Sequence, residues 1–296
     1  MTWNHNTKIL IVGLGLIGGS YAEALSHKGY EVGAINRSPS AIDYALQKGW
    51  IRHGRTAPDP DYIAEFDLIV FGLYPTAMLD WIRDNQHMLR PGTLLTDVTG
   101  VKQAVVYPVQ EILRRDVEYV GAHPMAGREV SGVQNADMHI FEGANYIVTP
   151  TDKNTPEATR ACMELGRILG FKTVTSLSPE RHDEMIGFLS QLTHCIAVSL
   201  MVCKDARDLS DYTGDSFRDL TRIAKINDVM WSELFLLNKE ELLNQMTLFQ
   251  EKFSTLRHYI ETDDVDAMRG MMQLSTEWRQ HFDKNKKTNN QGDSQS

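Results

Sequence analysis

Residues 8–20, Lys-Ile-Leu-Ile-Val-Gly-Leu-Gly-Leu-Ile-Gly-Gly-Ser, join a short apolar run to a helical pattern through the spacing Gly13-x-Gly15-x-x-Gly18. Ile9 to Val12 has the character of a buried strand, and Tyr21 to Leu25 that of the helix after it. A strand that turns straight into a helix through three glycines leaves few folds open. The first glycine permits the tight turn, the second lets backbone approach a pyrophosphate, and the third lets helix and sheet pack closely. The free N–H groups and partial positive charge of the helix start then face the phosphates. A glycine triplet alone also suits an ordinary turn; here the flanking strand and helix point to a Rossmann-type dinucleotide fold. Gly13, Gly15, Leu16, Ile17 and Gly18 are the candidate cofactor contacts.

Tyr30-Glu31-Val32-Gly33-Ala34-Ile35 reads as the second strand, and Asn36-Arg37-Ser38 follows at its tip. An acid at this place holds a ribose 2′-hydroxyl and favours NAD; an arginine suits the 2′-phosphate of NADP. The tip has no acid, so Asn36, Arg37 and Ser38 join the cofactor candidates and NADP is expected over NAD. The plainer alternative makes Arg37 a solvated loop residue.

A formal net charge of −9 over 296 residues argues against a nucleic-acid partner, which requires a basic surface. Met1 to Thr7 is polar apart from Trp3, unlike a secretory signal, and no apolar run of membrane-spanning length stands out, so a soluble, cytoplasmic protein is expected. Cys162, Cys195 and Cys203 show no metal spacing with histidine. The last two lie eight residues apart on one predicted helix, about 12 Å along its axis and too far for a disulfide. All three read as small buried hydrophobes.

Strand and helix signals alternate to about residue 175, which implies a parallel sheet with crossover helices. Further strands are expected at 68–73, 93–98, 119–122, 145–148 and 172–175, with a helix from about Pro156 to Leu169. Ser178-Pro179-Glu180 has the form of a helix start, and the pattern beyond it is helical. Met185, Leu189, Leu192, Ile196 and Ser199/Leu200 mark one face of the first long helix. Leu242, Met246, Phe249, Phe253, Leu256 and Ile260 form a stripe with a period near 3.5, suited to packing within the chain or to a helical interface shared by two copies. The expected organisation is a dinucleotide-binding domain over 1–176, an all-α dimerisation domain over 177–283 and a disordered tail over 284–296.

Gly121-Ala122-His123-Pro124-Met125-Ala126-Gly127 puts a histidine at the carboxyl edge of a strand, where open α/β sheets bind ligands. An imidazole there can take a hydroxyl proton as a hydride leaves the same carbon; a structural loop histidine is the alternative. Asp97-Val98-Thr99-Gly100-Val101-Lys102 reaches the same edge. Thr99 can hydrogen-bond a substrate, and Lys102 can hold an acid or cap a helix. Arg218 and Arg222 lie four apart on one helix, as a solvated face or as a clamp on a carboxylate. His194, between apolar helix positions, is a substrate contact or a core histidine.

These segments resemble the prephenate/arogenate dehydrogenase family of tyrosine biosynthesis. The resemblance runs from Lys8 to about Phe282. It rests on Gly13 to Ser20, the His-Pro-Met-Ala-Gly run at 123–127 with Ser131-Gly132, Ser178-Pro179-Glu180-x-His182-Asp183, and Phe217-Arg218-Asp219-x-Thr221-Arg222-Ile223-Ala224. It implies a helical dimerisation domain, a homodimer and an active site between the two halves. It also implies oxidative decarboxylation of prephenate, with His123 taking the proton of the ring hydroxyl, Arg222 binding the ring carboxylate and His194 lying near the substrate side chain. Three positions depart from the family pattern: Thr99-Gly100 where Gly-Ser is common, Gln191 in place of a histidine, and Arg128 in place of a small hydroxyl residue. Thr99 is the imperfect substitute for the missing serine, and Gln191, Lys102 and Arg128 join His194 as candidate substrate contacts. Arogenate is the alternative substrate. A β-hydroxyacid dehydrogenase or reductase of the same plan normally uses a lysine on the long helix, and none lies between Pro179 and Val202. A non-catalytic NADP-binding sensor is disfavoured because His123 and Arg222 are both present.

Overall fold

The computed structural model describes residues 1–205 and 207–283; the expected tail at 284–296 lies outside them. Six strands form one parallel sheet: β1 (Lys8–Val12), β2 (Glu31–Ile35), β3 (His53–Arg55), β4 (Leu68–Phe71), β5 (Leu94–Asp97) and β6 (Glu118–Tyr119), in the order β3-β2-β1-β4-β5-β6. The direction of winding reverses at β1, so a crevice opens at the carboxyl ends of β1 and β4, where this topology binds ligands. The strands are apolar on both faces because both faces are covered. Ile9, Ile11, Val32, Ala34 and Val70 face one core with α1 (Leu16–His27) and α2 (Pro39–Gln47). Leu10, Val12, Ile35, Ile69, Phe71 and Leu95 face the other, with α3 (Pro60–Ile63), α4 (Pro75–Asn85) and α5 (Gln103–Ile112).

The expected strand series holds, with two differences. The short edge strand β3 carries no apolar signal, since His53 and Arg55 are exposed. The later strands leave the parallel sheet: β7 (Gly121–Pro124), β8 (Asn145–Thr149) and β9 (Thr173–Ser176) make a second sheet, β7-β8-β9. β7 and β8 are antiparallel, with His123 opposite Ile147. The link between them, 125–144, contains only short 3₁₀ turns. Without a crossover helix the chain returns antiparallel. The parallel pair β8 and β9 is joined by α6 (Pro156–Ile168).

After β9, Ser178 caps α7 (Pro179–Ile186) by accepting from the Arg181 N–H, with Pro179 in the first turn. A π-helical segment, Gly187–Leu192, leads into α8 (Thr193–Val202). This wider turn moves the buried face. His182, Asp183, Ile186, Gly187, Gln191 and Leu192 point inward, whereas Leu189 of the expected stripe is exposed. The run 179–202 is long and apolar enough to cross a membrane by length and composition. Its inward polar groups His182, Asp183 and Gln191 are bonded to neighbouring elements, as described below. Of the cysteines only Cys162 is buried; Cys203 at the end of α8 is exposed, contrary to its expected burial, because α8 presents that end to the surface. Next come α9 (Asp215–Thr221), α10 (Asp228–Leu237), α11 (Lys239–Glu261) and α12 (Val265–Asp283).

By compactness the chain divides after Leu242, since α7 and α10 are bonded and packed onto the sheet layer. In the second unit the helices leave Phe249, Phe253, Ile260, Trp278 and Phe282 exposed, so three of the six residues of the period-3.5 stripe are uncovered within one chain, while Met246 and Leu256 are half-buried and Leu242 is buried.

Candidate active site

The glycine turn is built as its spacing implies. Gly13 has φ 102°, and a Cβ on it would lie 2.5 Å from the Gly72 carbonyl oxygen at the end of β4; a Cβ on Gly18 would lie 1.9 Å from the Gly13 oxygen. Only glycine fits at these two positions. At Gly15, the cap of α1, a Cβ would meet nothing within 4 Å, so the backbone borders open space at the helix start. No side chain caps that start, and its first-turn N–H groups face the opening. The cradle fits a pyrophosphate, with Leu16 and Ile17 in the first turn. Asn36 accepts the Leu14 N–H at 2.9 Å and donates to the Ser38 carbonyl at 3.2 Å, so it shapes the cradle from within. Arg37 and Ser38 are exposed beside it.

His123 lies on β7, half-buried, and its Nδ1 is 2.9 Å from His182 Nε2. His182 Nδ1 is in turn 2.7 Å from Asp183 Oδ1. Both partners are buried. Asp183 also accepts the Lys102 N–H through Oδ1 and the Gln103 N–H through Oδ2, each at 2.8 Å, so it caps α5 from 80 residues away. Burial, then the adjoining His182 and the Lys102 ammonium, hold the basicity of His123 well below the ordinary 6.5. Burial also lowers that of His182, against the opposing pull of Asp183.

Beneath His123 lies a buried ion pair. Lys102 Nζ donates to Asp97 Oδ2 at 2.6 Å, Thr99 Oγ1 at 3.1 Å and the Ala122 carbonyl at 2.5 Å. Asp97 accepts from the Ala122 N–H at 2.9 Å, the Tyr119 hydroxyl at 2.8 Å, the Thr99 N–H at 2.8 Å and the Thr99 hydroxyl. The pair thus grips both backbone groups of the residue preceding His123. Burial lowers the Lys102 pKa and Asp97 opposes the shift.

This geometry corrects three expected substrate contacts. Lys102 is fully buried with its ammonium committed, so it positions β7 rather than touching a ligand. Thr99 is buried with its hydroxyl spent on Asp97 and the Val101 carbonyl, and it does not replace the absent serine. That place belongs to Gly100, where a Cβ would sit 3.8 Å from His123 Cε1 and 3.6 Å from Leu234. Gln191 is turned inward by the π segment: it donates to the Leu234 carbonyl at 3.0 Å and accepts from Asn238 Nδ2 at 2.8 Å, while Asn238 also donates to the Asp183 carbonyl.

Arg222 begins a 3₁₀ turn just after α9, and its guanidinium pairs with Glu129 in the loop after β7. Arg218 turns back to Asp215 and Thr213, so the two arginines do not form one clamp. His194 stacks on Trp231 with ring centroids 3.7 Å apart and shares the electrostatic environment of Glu129 and Arg222. Burial is the largest influence on its pKa and lowers it. Arg128 is paired with Asp137 on the loop that lies over α1. Sequence reasoning passed over the roles of His182, Asp183, Glu129 and Trp231. For the first two the signal was present, since a histidine beside an acid opens the helix, but no spacing links it to His123.

Family models match both halves: one described as the prephenate dehydrogenase nucleotide-binding domain over residues 21–174, and one described as the prephenate dehydrogenase dimerization domain over 178–274. The prephenate dehydrogenase of Bacillus subtilis (strain 168) is 30% identical over 92% of this chain and 75% of its own length. The cyclohexadienyl dehydrogenase of Zymomonas mobilis is 30% identical over 88% and 90%, respectively. Among solved structures, prephenate dehydrogenase from A. aeolicus in complex with hydroxyphenyl propionate and NAD+ aligns with a TM-score of 0.85 at 28% identity, covering 93% of this chain and 98% of that one.

Proposed function

The chain belongs to the prephenate dehydrogenase family, and from that premise we propose that it oxidatively decarboxylates prephenate to 4-hydroxyphenylpyruvate. The observation that carries this reading is the placement of His123, on β7 directly after the residue gripped by Asp97 and Lys102, with Nδ1 on a buried partner. Its other ring nitrogen makes no hydrogen bond among the described residues and can receive a hydroxyl proton. A nicotinamide cofactor, when bound, supplies the acceptor for the hydride that leaves C4. His123 takes the C4 hydroxyl proton as C4–O gains carbonyl character. Arg222 orients the ring carboxylate, which departs as CO2 and returns its electron pair to the ring. The ring becomes aromatic, and the oxygen recovers a proton to give the phenol. His194, on its Trp231 stack, borders the side-chain end of the substrate.

The finer assignments follow from the same residues. NADP is the favoured cofactor because Arg37 and Ser38 are exposed at the tip of β2 and no acid stands there. A homodimer through 177–283 is supported by the match to a dimerization domain and by the uncovered apolar residues of α11 and α12. The functional boundary is kept near residue 176, and a cytoplasmic location is inferred.

Initial rates with prephenate or arogenate, each with NADP or NAD, test the whole reading. Fast NADP reduction with prephenate is the expected result; activity with arogenate alone moves the substrate, and no turnover in any combination overturns the reaction. For the cofactor, Arg37→Ala should lower kcat/KM for NADP about tenfold relative to NAD, the scale of one charge-assisted contact. An unchanged ratio overturns the preference.

A further inference from the structure

We infer that Asp183 and His182 are positioning residues that set the tautomer of His123 and leave its Nε2 as the proton acceptor. This extends the reading of His123 as the base and depends on it. The argument starts from Asp183. Each of its two oxygens accepts a backbone N–H group at the start of α5, and a carboxylate has no hydrogen to donate. His182 Nδ1, 2.7 Å away, must therefore donate to it.

His182 is fully buried, close to the Lys102 ammonium, and its ring is neutral under those conditions. A neutral imidazole with a proton on Nδ1 has a lone pair on Nε2. That lone pair faces His123 Nδ1 at 2.9 Å, so His123 Nδ1 is the donor. His123 in turn keeps its lone pair on Nε2, the nitrogen with no protein partner among the described residues. A free neutral imidazole is under no such constraint and also populates the tautomer with the proton on Nε2, which cannot accept one from a substrate. When His123 gains the hydroxyl proton, the lone pair of His182 already faces the new cation and needs no reorganisation.

The chain is anchored at its far end as well. Asn238 donates to the Asp183 carbonyl at 3.0 Å and to Gln191 Oε1 at 2.8 Å, so the backbone of the relay is fixed from the turn between α10 and α11. This gives the polar inward face of α7 and the π segment a reason beyond packing.

The test compares His182→Gln with His182→Leu and reads histidine tautomers in the full-length protein. A glutamine amide oxygen can stand where Nε2 stood and accept from His123 Nδ1; leucine fills the space without an acceptor. His182→Leu is expected to lose about 10²-fold in kcat, toward the low end of what a positioned base contributes. KM for substrate should barely move, and His182→Gln should recover at least tenfold of the loss. A leucine variant within about threefold of wild-type kcat, or a glutamine variant that falls as far as leucine, overturns the proposal. If the variants do not fold, ¹⁵N imidazole spectra of the wild-type protein decide it. A proton on His123 Nδ1 with Nε2 bare supports the relay, and the reverse tautomer overturns it. Because the spectra need no turnover, a failure of the assigned reaction is distinguishable from a failure of the relay.

Discussion

The surroundings of His123 and of Arg222 are built on opposite plans. His123 stands on a saturated buried network: Asp183, His182, Lys102 and Asp97 are closed off from solvent, and each charged atom has its partners. Arg222 reaches from a short 3₁₀ turn with its side chain 64% exposed, and its acidic partner Glu129 is 39% exposed. The difference corresponds to two tasks. A proton acceptor must hold one ring orientation and one tautomer, which burial and committed hydrogen bonds provide. A residue that binds a carboxylate must exchange partners each turnover, and an exposed ion pair worth at most about 1 kcal/mol is readily given up.

If that contrast holds, substitutions on the two sides should separate in kinetics. His123→Asn removes the proton acceptor, and kcat should fall by ~10²–10⁴ with little change in KM. A variant with near wild-type kcat would remove His123 from the chemistry. Arg222→Ala should act mainly through KM. Losing a charge-assisted bidentate contact costs about 1.5–3 kcal/mol, or ~10- to ~100-fold. A fall in kcat with unchanged KM would mean that Arg222 acts in the transition state and not in binding.

The same contrast accounts for what could be read in advance. The glycine turn and its strands were legible because they depend on neighbours in sequence: Gly13, Gly15 and Gly18 meet atoms or space within one strand–helix unit and the adjoining β4. The place of His123 was legible for a similar reason, being one strand edge. Its partners were not. Asp183 reaches the Lys102 and Gln103 N–H groups across 80 residues or more, and no local pattern encodes that contact. Gln191 was expected at the ligand because the resemblance puts a histidine at that position; here the π segment turns it inward, and it becomes a buried brace. Lys102 looked available because a lysine at a ligand-facing edge is ordinarily exposed, and only the fold shows Asp97 and Ala122 enclosing it. Glu129 follows the recognised histidine segment by two residues, yet its partner lies 93 positions away.

Glu129 offers a smaller and more discriminating effect. As a competitor for the Arg222 guanidinium it should weaken substrate binding. Glu129→Gln should lower KM about two- to fivefold, the range of an exposed ion pair, and leave kcat in place. A raised KM would show instead that Glu129 holds Arg222 in its binding position.

The last expectation is of no change where an ordinary histidine would show one. A general base works in its neutral form, so kcat falls as pH drops through the pKa of that base in the substrate complex. Burial, His182 and Lys102 each disfavour the cation of His123, and all three push its titration down from 6.5. Added substrate and cofactor exclude further water and add to the burial. The carboxylate of the substrate opposes the shift, but it is bound at the Arg222 side, where a guanidinium already balances it. The profile of log kcat should therefore stay flat from pH 8 through the ordinary histidine value near 6.5, and bend only below it. A limb centred at or above that value would mean that His123 is wetter and less confined in the working enzyme than its buried partners make it here, and the contrast with Arg222 would be lost.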